Sequence, residues 1–373
     1  MQPRTSTHAD LWRKVQVGQP LPFHIRAADR TLLLATGQVI ASESQLQALR
    51  DRGAFTDDGA APRAQVAAAS PDQLPALWSR CMDGVAAALQ ASEQTHFRAA
   101  LDDAAEPVLA LIERDPDLAI FQVLRQDPDQ NVRYGVTHSV HAAITTHLVA
   151  RRLGWAAGRT LTAFKSALTM NVAMIELQGR LATQISPLTP LQRTTIREHP
   201  TRGVEMLQAA GITDPEWLAA VAQHHEVPDG SGYPLRLREV GEIASLVRRA
   251  DIYTAKLASR STRSALAANR AGREIFMQDP SDAMNNAIVK EFGIYPPGCC
   301  VRLASGELGI VVKRGSSANA PIVASLVDAR GRTLAEPVRR DAASPGHRVV
   351  ETFLEGDLHV RIAPEKLVLL ACG

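Results

Sequence analysis

At 373 residues the chain is long for one domain and predicts two or three. Hydrophobic residues make up 45% and aromatics only 4%, so the cores must be filled mainly by Ala, Leu, Val and Ile. A net charge of +2 excludes a nucleic-acid binder driven by bulk charge.

The polar N-terminus has no apolar signal region and no run of 18 apolar residues occurs, so the expected location is the cytoplasm. Residues 1–60 predict a small α+β unit. Residues 22–26 and 31–35 read as strands, with a turn at Gly37. Ser42 is placed to cap a helix from Glu43 to Arg52 that stops at Gly53. Residues 57–75 are rich in Asp, Ala, Pro and Gly and predict a linker. Leu77, Cys81, Val85 and Leu89, then Leu101, Val108, Leu109 and Ile112, recur at helical spacing, so 61–115 reads as linker plus amphipathic helices.

Residues 116–292 predict an all-helical domain. Asp117 is the expected cap of a helix to about Arg125, and Asn131 or Thr137 starts another that ends at Gly154. Leu161 to Met174 reads as a largely apolar central helix. Thr189-Pro190 starts a helix that runs to the Pro200 region, and Arg202 to Ala210 forms the next. Thr213-Asp214-Pro215-Glu216 caps and starts the helix that delivers His224 and His225. Ile243 to Ala258 delivers Asp251, and a last helix ends at Gly293. From Tyr295 the texture changes to short strands at 301–303, 309–313, 321–327 and 349–353, predicting a small antiparallel β-barrel over 293–373. The four cysteines, Cys81, Cys299, Cys300 and Cys372, have neither Cys-x-x-Cys spacing nor a disulfide pattern.

Chemistry concentrates at 224–234, His-His-Glu-Val-Pro-Asp-Gly-Ser-Gly-Tyr-Pro. Two imidazoles at a helix tip can hold a transition metal. In the turn that follows, Gly230 and Gly232 permit positive φ and Pro234 fixes the exit. His141 and His147 read as solvated or core-edge residues. His8, His24, His96, His347 and His359 have no partners in the sequence.

At this motif the chain resembles the HD-GYP family, a branch of the HD-domain metal-dependent phosphohydrolases that act on cyclic di-GMP. The resemblance implies a mainly α protein: a helical HD-type domain, a small N-terminal α+β unit and a C-terminal SH3-like barrel. It implies metal ligands at His138 (Thr-His-Ser-Val), His199 (Glu-His-Pro), His224, His225 and Asp251 (Ala-Asp-Ile-Tyr). Glu226, Asp229, Gly230, Gly232, Tyr233 and Pro234, with Arg260 and Arg263, are the implied ligand or partner surface. At the name-giving pair the family reads Leu-His-Asp-Ile-Gly-Lys. This chain has Met170 for the histidine, Asn171 for the aspartate and Met174 for the lysine. Asparagine is neutral and a thioether suits hard divalent ions poorly. Tyr134 stands where trinuclear members offer a glutamate, which argues against a third metal.

The first expectation is therefore a site without metal, in a catalytically inactive protein that senses the nucleotide or docks signalling proteins such as diguanylate cyclase domains. The alternative is one divalent metal, Fe, Mn or Zn, on His199, His224 and His225, serving a reduced cyclic di-GMP phosphodiesterase. A third reading makes the helical domain a homodimerisation scaffold.

Overall fold

The computed structural model describes residues 12, 15–21, 24–27, 32–34, 38–52, 54–57, 60–94, 96–125, 134–259, 261, 263, 265–354, 358, 360 and 364–372. Asn131, His8, His359 and Arg260 lie outside these residues.

Ser42 is extended and its hydroxyl accepts the Gln45 N–H at 3.2 Å, so the helix Glu43–Asp51 starts where the cap predicts. It packs on a three-stranded antiparallel sheet in which β1 (His24–Arg26) lies between β2 (Leu32–Leu34) and β3 (Phe55–Asp57). Val15, Leu21, Ile25, Ile40, Leu46 and Ala54 fill a small core of their own. The linker expected over 57–75 is instead a helix at Ala60–Ala68. Arg114 anchors it by donating to the Val66 and Ala69 carbonyls, and Arg63 pairs with Glu113 at 2.8 Å and with Glu106. These long-range partners are invisible to a local composition reading.

The predicted amphipathic helices appear as Leu74–Gln90 and Phe97–Arg114. Asp115, not Asp117, caps the next helix, Pro116–Leu124, by accepting the Leu118 N–H at 2.9 Å. Asp117 instead receives the Arg314 guanidinium and backbone N–H, which ties the C-terminal sheet to the helices. The centre of the bundle is Tyr134–Arg152, where 16 residues are buried. A helix buried on all sides belongs at a domain centre, so the central role falls here rather than on Leu161 to Met174. That second stretch is broken: a helix at Ala157–Thr169, a 3₁₀ turn at Val172–Met174, then a helix at Ile175–Thr183.

Burial also corrects two histidines. His141 is 6% exposed and His147 5%. Neither ring nitrogen of His147 has a hydrogen-bond partner among the described residues. Burial, and next the nearby Arg151, push its pKa down to about 4. Between pH 6.5 and 4 the unfolded chain binds a proton that the folded chain refuses, so stability falls as pH falls through this window. From this residue alone, about 2 kcal/mol should be lost between pH 7 and pH 5. Denaturant titrations of His147→Leu should show a shallower pH dependence, with little change at pH 7.

In the C-terminal region β4 (Cys300–Leu303), β5 (Leu308–Lys313), β6 (Ile322–Val327), β7 (Thr333–Asp341) and β8 (Val349–Phe353) form an antiparallel sheet in the order β7-β6-β5-β4-β8. Among the described residues the sheet does not close into the predicted SH3-like barrel: β7 and β8 are its two edges. Strand alternation gives the reason. Cys300, Ile310, Val312, Ile322 and Ala324 join the main helical core. Val301, Leu303, Val311 and Val323 point the other way, into a small cluster with Tyr295 and Val349. One face is therefore covered by helices rather than by the sheet's own far edge. A helix at Pro364–Cys372 adds Leu367 and Val368 to the same core. Among the described residues no helix is long and apolar enough to cross a membrane.

Candidate functional site

Three elements deliver the histidines. Thr189 and Gln192 form a reciprocal capping box, with Pro190 at the first position of the helix Pro190–Ala209. This helix does not stop at Pro200, as the sequence expectation had it. Proline lacks the N–H that would bond the Ile196 carbonyl four residues back. His199 takes the vacated acceptor, donating Nδ1–H to Ile196 O at 2.7 Å. The His-Pro motif thus frees a carbonyl that fixes the tautomer of the histidine before it, leaving the Nε2 lone pair exposed. Pro200→Ala should restore an N–H that competes for this carbonyl. A loss of roughly 10-fold in metal affinity is expected, the lower end for removing an orienting hydrogen bond; competition with a chelating dye measures it.

Within the predicted start at Thr213-Asp214-Pro215-Glu216, Asp214 is the cap of the helix Pro215–Gln223, accepting the Glu216 and Trp217 N–H groups. His224 follows the last helical residue and donates Nδ1–H to Val221 O at 2.7 Å, satisfying a carbonyl at the helix end. Its free Nε2 faces His199 Nε2 at 3.1 Å. His225 lies with its ring centre 4.1 Å from that of His224 and stacks on Tyr233 at 4.5 Å.

The Gly-Tyr-Pro turn is a brace for this group. Gly230 has φ +78°, as expected, but Gly232 does not need positive φ. It is glycine because a Cβ there would lie 2.5 Å from Glu226 Cα and Val227 N. Glu226, expected on the contact surface, is buried at 1% exposure. Its carboxylate accepts the backbone N–H groups of Leu235 at 2.6 Å, Arg236 at 3.1 Å and Leu237 at 2.9 Å. Tyr233 N–H donates to His225 O at 3.2 Å, and the Tyr233-Pro234 peptide is cis. Asp229 closes the tip by accepting the Ser231 N–H at 2.7 Å.

One ligand nitrogen from each of His199, His224 and His225 lies within 4.8 Å of the others. Burial, and next the adjacent His224, push His199 down to about 3, and burial lowers His224 and His225 as well. The rings are therefore neutral at pH 7, the form that ligates metal. Two neutral Nε2 lone pairs facing at 3.1 Å repel unless a cation lies between them. Nitrogens bound to one tetrahedral zinc at about 2 Å sit roughly 3.3 Å apart. The donor set thus fits a divalent metal of the Zn or Fe class.

His138 and Asp251 stand apart from this triad. His138 donates Nε2–H to Asp251 Oδ1 at 2.7 Å, and its ring stacks on Tyr134. Burial alone would raise the Asp251 carboxyl, but the His138 hydrogen bond and the histidines around it hold it below the usual carboxylate range. Met170 is fully buried in the main core. Asn171 is 1% exposed, and its Oδ1 has no hydrogen-bond partner among the described residues. Gly203, one turn past His199, lets this segment approach: a Cβ there would meet Val221 Cγ1 at 3.4 Å and Val172 Cγ1 at 3.6 Å. Met174 is half-buried beside it.

Arg263 is exposed and its guanidinium rests on the Ala255 carbonyl. Cations closer to the loop escaped the sequence reading. Arg193, Arg197 and Arg236 line a cavity of about 680 Å³ whose wall includes Tyr233. Arg248 is half-buried, one turn before Asp251 and electrostatically coupled to Asp251, Asp229 and His225. The only local signal was the i,i+4 spacing of Arg193 and Arg197, which a solvated helix face shares.

A family model described as an HD domain matches residues 129–275. Cyclic di-GMP phosphodiesterase PA4108 of Pseudomonas aeruginosa is 27% identical over 250 residues, covering 65% of this chain and 58% of its own length. The cyclic di-GMP phosphodiesterase of Thermotoga maritima is 28% identical over 151 residues, covering 37% of this chain and 41% of its own length. The chain thus spans about half the length of these curated relatives. Bd1817, an HDG"Y"P protein from Bdellovibrio bacteriovorus, shares the fold with a TM-score of 0.51 at 15% identity, over 74% of this chain and 96% of that one. Residues 129–275 therefore carry an HD domain, and the chain is similar to HD-superfamily proteins of the cyclic di-GMP phosphodiesterase-like family.

Proposed function

We propose that this chain binds cyclic di-GMP through one divalent metal held by His199, His224 and His225, and does not support two-metal hydrolysis. The observation that carries the reading is the pair of committed tautomers. Both Nδ1 protons are spent on backbone carbonyls, and both Nε2 lone pairs converge at 3.1 Å. A metal there supplies a Lewis-acid contact for a phosphate oxygen. Tyr233 holds the His225 ring in place. Burial, and next Asp251, push the Tyr233 phenol above its ordinary range, so it stays protonated and able to donate to a phosphate oxygen. The second cation position has Asn171 where a bridging anion is needed, and Asp251 is already engaged by His138. Among members of this family the chain then reports on or sequesters the nucleotide.

Calorimetry of the metal-loaded chain with cyclic di-GMP, followed by chromatography of the mixture, tests this. Binding without product is the expected result. A linear dinucleotide or GMP that disappears on His224→Ala would establish the reduced three-histidine phosphodiesterase instead, a reading favoured by the completeness of the triad. Absence of binding would remove the nucleotide from the account.

A further inference from the structure

We propose that the cleft between the His199 helix and the Gly-Tyr-Pro loop is an anion site, where Arg193, Arg197 and Arg236 take the nucleotide phosphate that lies away from the histidines. This rests on the preceding reading for the identity of the ligand, but not for the existence of the site. The cavity of about 680 Å³ is of a size that holds small ligands. Arg193 and Arg197 stand at i,i+4 on one helix, where like charges repel. Arg236 reaches the cavity from the other side. Elsewhere arginines find acids: Arg249 meets Asp282, Arg340 meets Glu307, Arg314 meets Glu291. Arg193, Arg197 and Arg236 have no side-chain hydrogen bond or ion pair among the described residues.

Arg236 is also the one non-glycine residue with positive φ among the described residues, at 59°. A bulky residue is rarely left in that region unless its surroundings impose it. The buried Glu226 carboxylate does so, gripping the N–H groups of residues 235, 236 and 237. The same carboxylate that braces the metal loop therefore sets the backbone of this arginine. Tyr233 lines the cavity and stacks on His225, so one side chain touches both the cleft and the triad. A ligand with two phosphates, one toward the histidines and one toward the arginines, matches this layout. Guanidinium groups suit a phosphodiester by paired N–H donation.

The test is the affinity of the metal-loaded full chain for cyclic di-GMP, with Arg193→Ala, Arg197→Ala and Arg236→Ala singly and combined, alongside metal content. All three side chains are exposed, so folding is not at stake. Each single change should weaken binding about 10-fold, and the triple change more than about 100-fold, with metal content unchanged. Arg236→Lys should recover part of the loss. A triple variant that binds as tightly as the parent overturns the cleft and leaves the proposed function standing. If the parent does not bind cyclic di-GMP, the proposed function fails, and inorganic pyrophosphate becomes the probe. Arginine-dependent pyrophosphate binding then upholds the anion site, and its absence overturns it.

Discussion

Replacing His224 by alanine should lower the metal retained after dialysis from one ion per chain to below about a tenth, since two imidazoles cannot complete a site that needs three protein ligands. His224 is fully buried and meets His199 directly, so no neighbouring group can take its place without moving the helix end. The loss should also appear in stability. A ligand present at about 1,000 times its dissociation constant stabilises the folded state by about 4 kcal/mol. Adding metal should therefore raise the parent's melting temperature and leave His224→Ala unchanged. His138→Ala serves as the contrast. It breaks the pair with Asp251 but touches none of the three clustered nitrogens, so the metal content should stay near one.

The second large effect is a gain. Asn171→Asp with Met170→His replaces a neutral amide and a thioether with the two ligand types that the HD-GYP resemblance implies for a second metal position. Metal content should rise from one to two ions per chain. Hydrolysis of cyclic di-GMP should rise by about 1,000-fold, as expected when charge neutralisation worth several kcal/mol is added to a phosphoryl transition state. Without metal the double variant should be less stable than the parent. Both positions are nearly inaccessible to solvent, at 0% and 1% exposure, and a buried unpaired carboxylate is costly. Stability recovered on adding Mn²⁺ would show that the ion pairs with the new carboxylate. A metal content that stays at one would show that the substitutions alone do not explain the lost position.

Where the chemistry was local, the sequence was enough to see it. The Thr189 start, the cap within Thr213-Asp214-Pro215-Glu216 and the Ser42 cap each rest on contacts within a few residues, and all are in place. The His-His-Glu run and Gly-Tyr-Pro loop likewise marked the site. Of four misreadings, all but that at Pro200 come from a partner further along the chain. Pro200 read as a helix end because the freed Ile196 carbonyl had no visible acceptor role, yet His199 satisfies it. Asp117 read as a cap because its partner, Arg314, lies 197 residues on. The strands read as a closed barrel because alternation shows that both faces are buried but not by what. The face expected to close on itself lies against helices. Glu226 was taken for a surface residue because its three N–H partners sit nine to eleven residues later, behind a cis proline.

The most direct test is the metal content of the purified chain after anaerobic loading with Fe²⁺, Mn²⁺ or Zn²⁺ and exhaustive dialysis, measured by mass spectrometry of the elements. One ion per chain, lost on His224→Ala, is the predicted result. No retained ion would mean that the three imidazoles meet without a metal, and two ions would mean that Asn171 does not disable the second position; either contradicts the account.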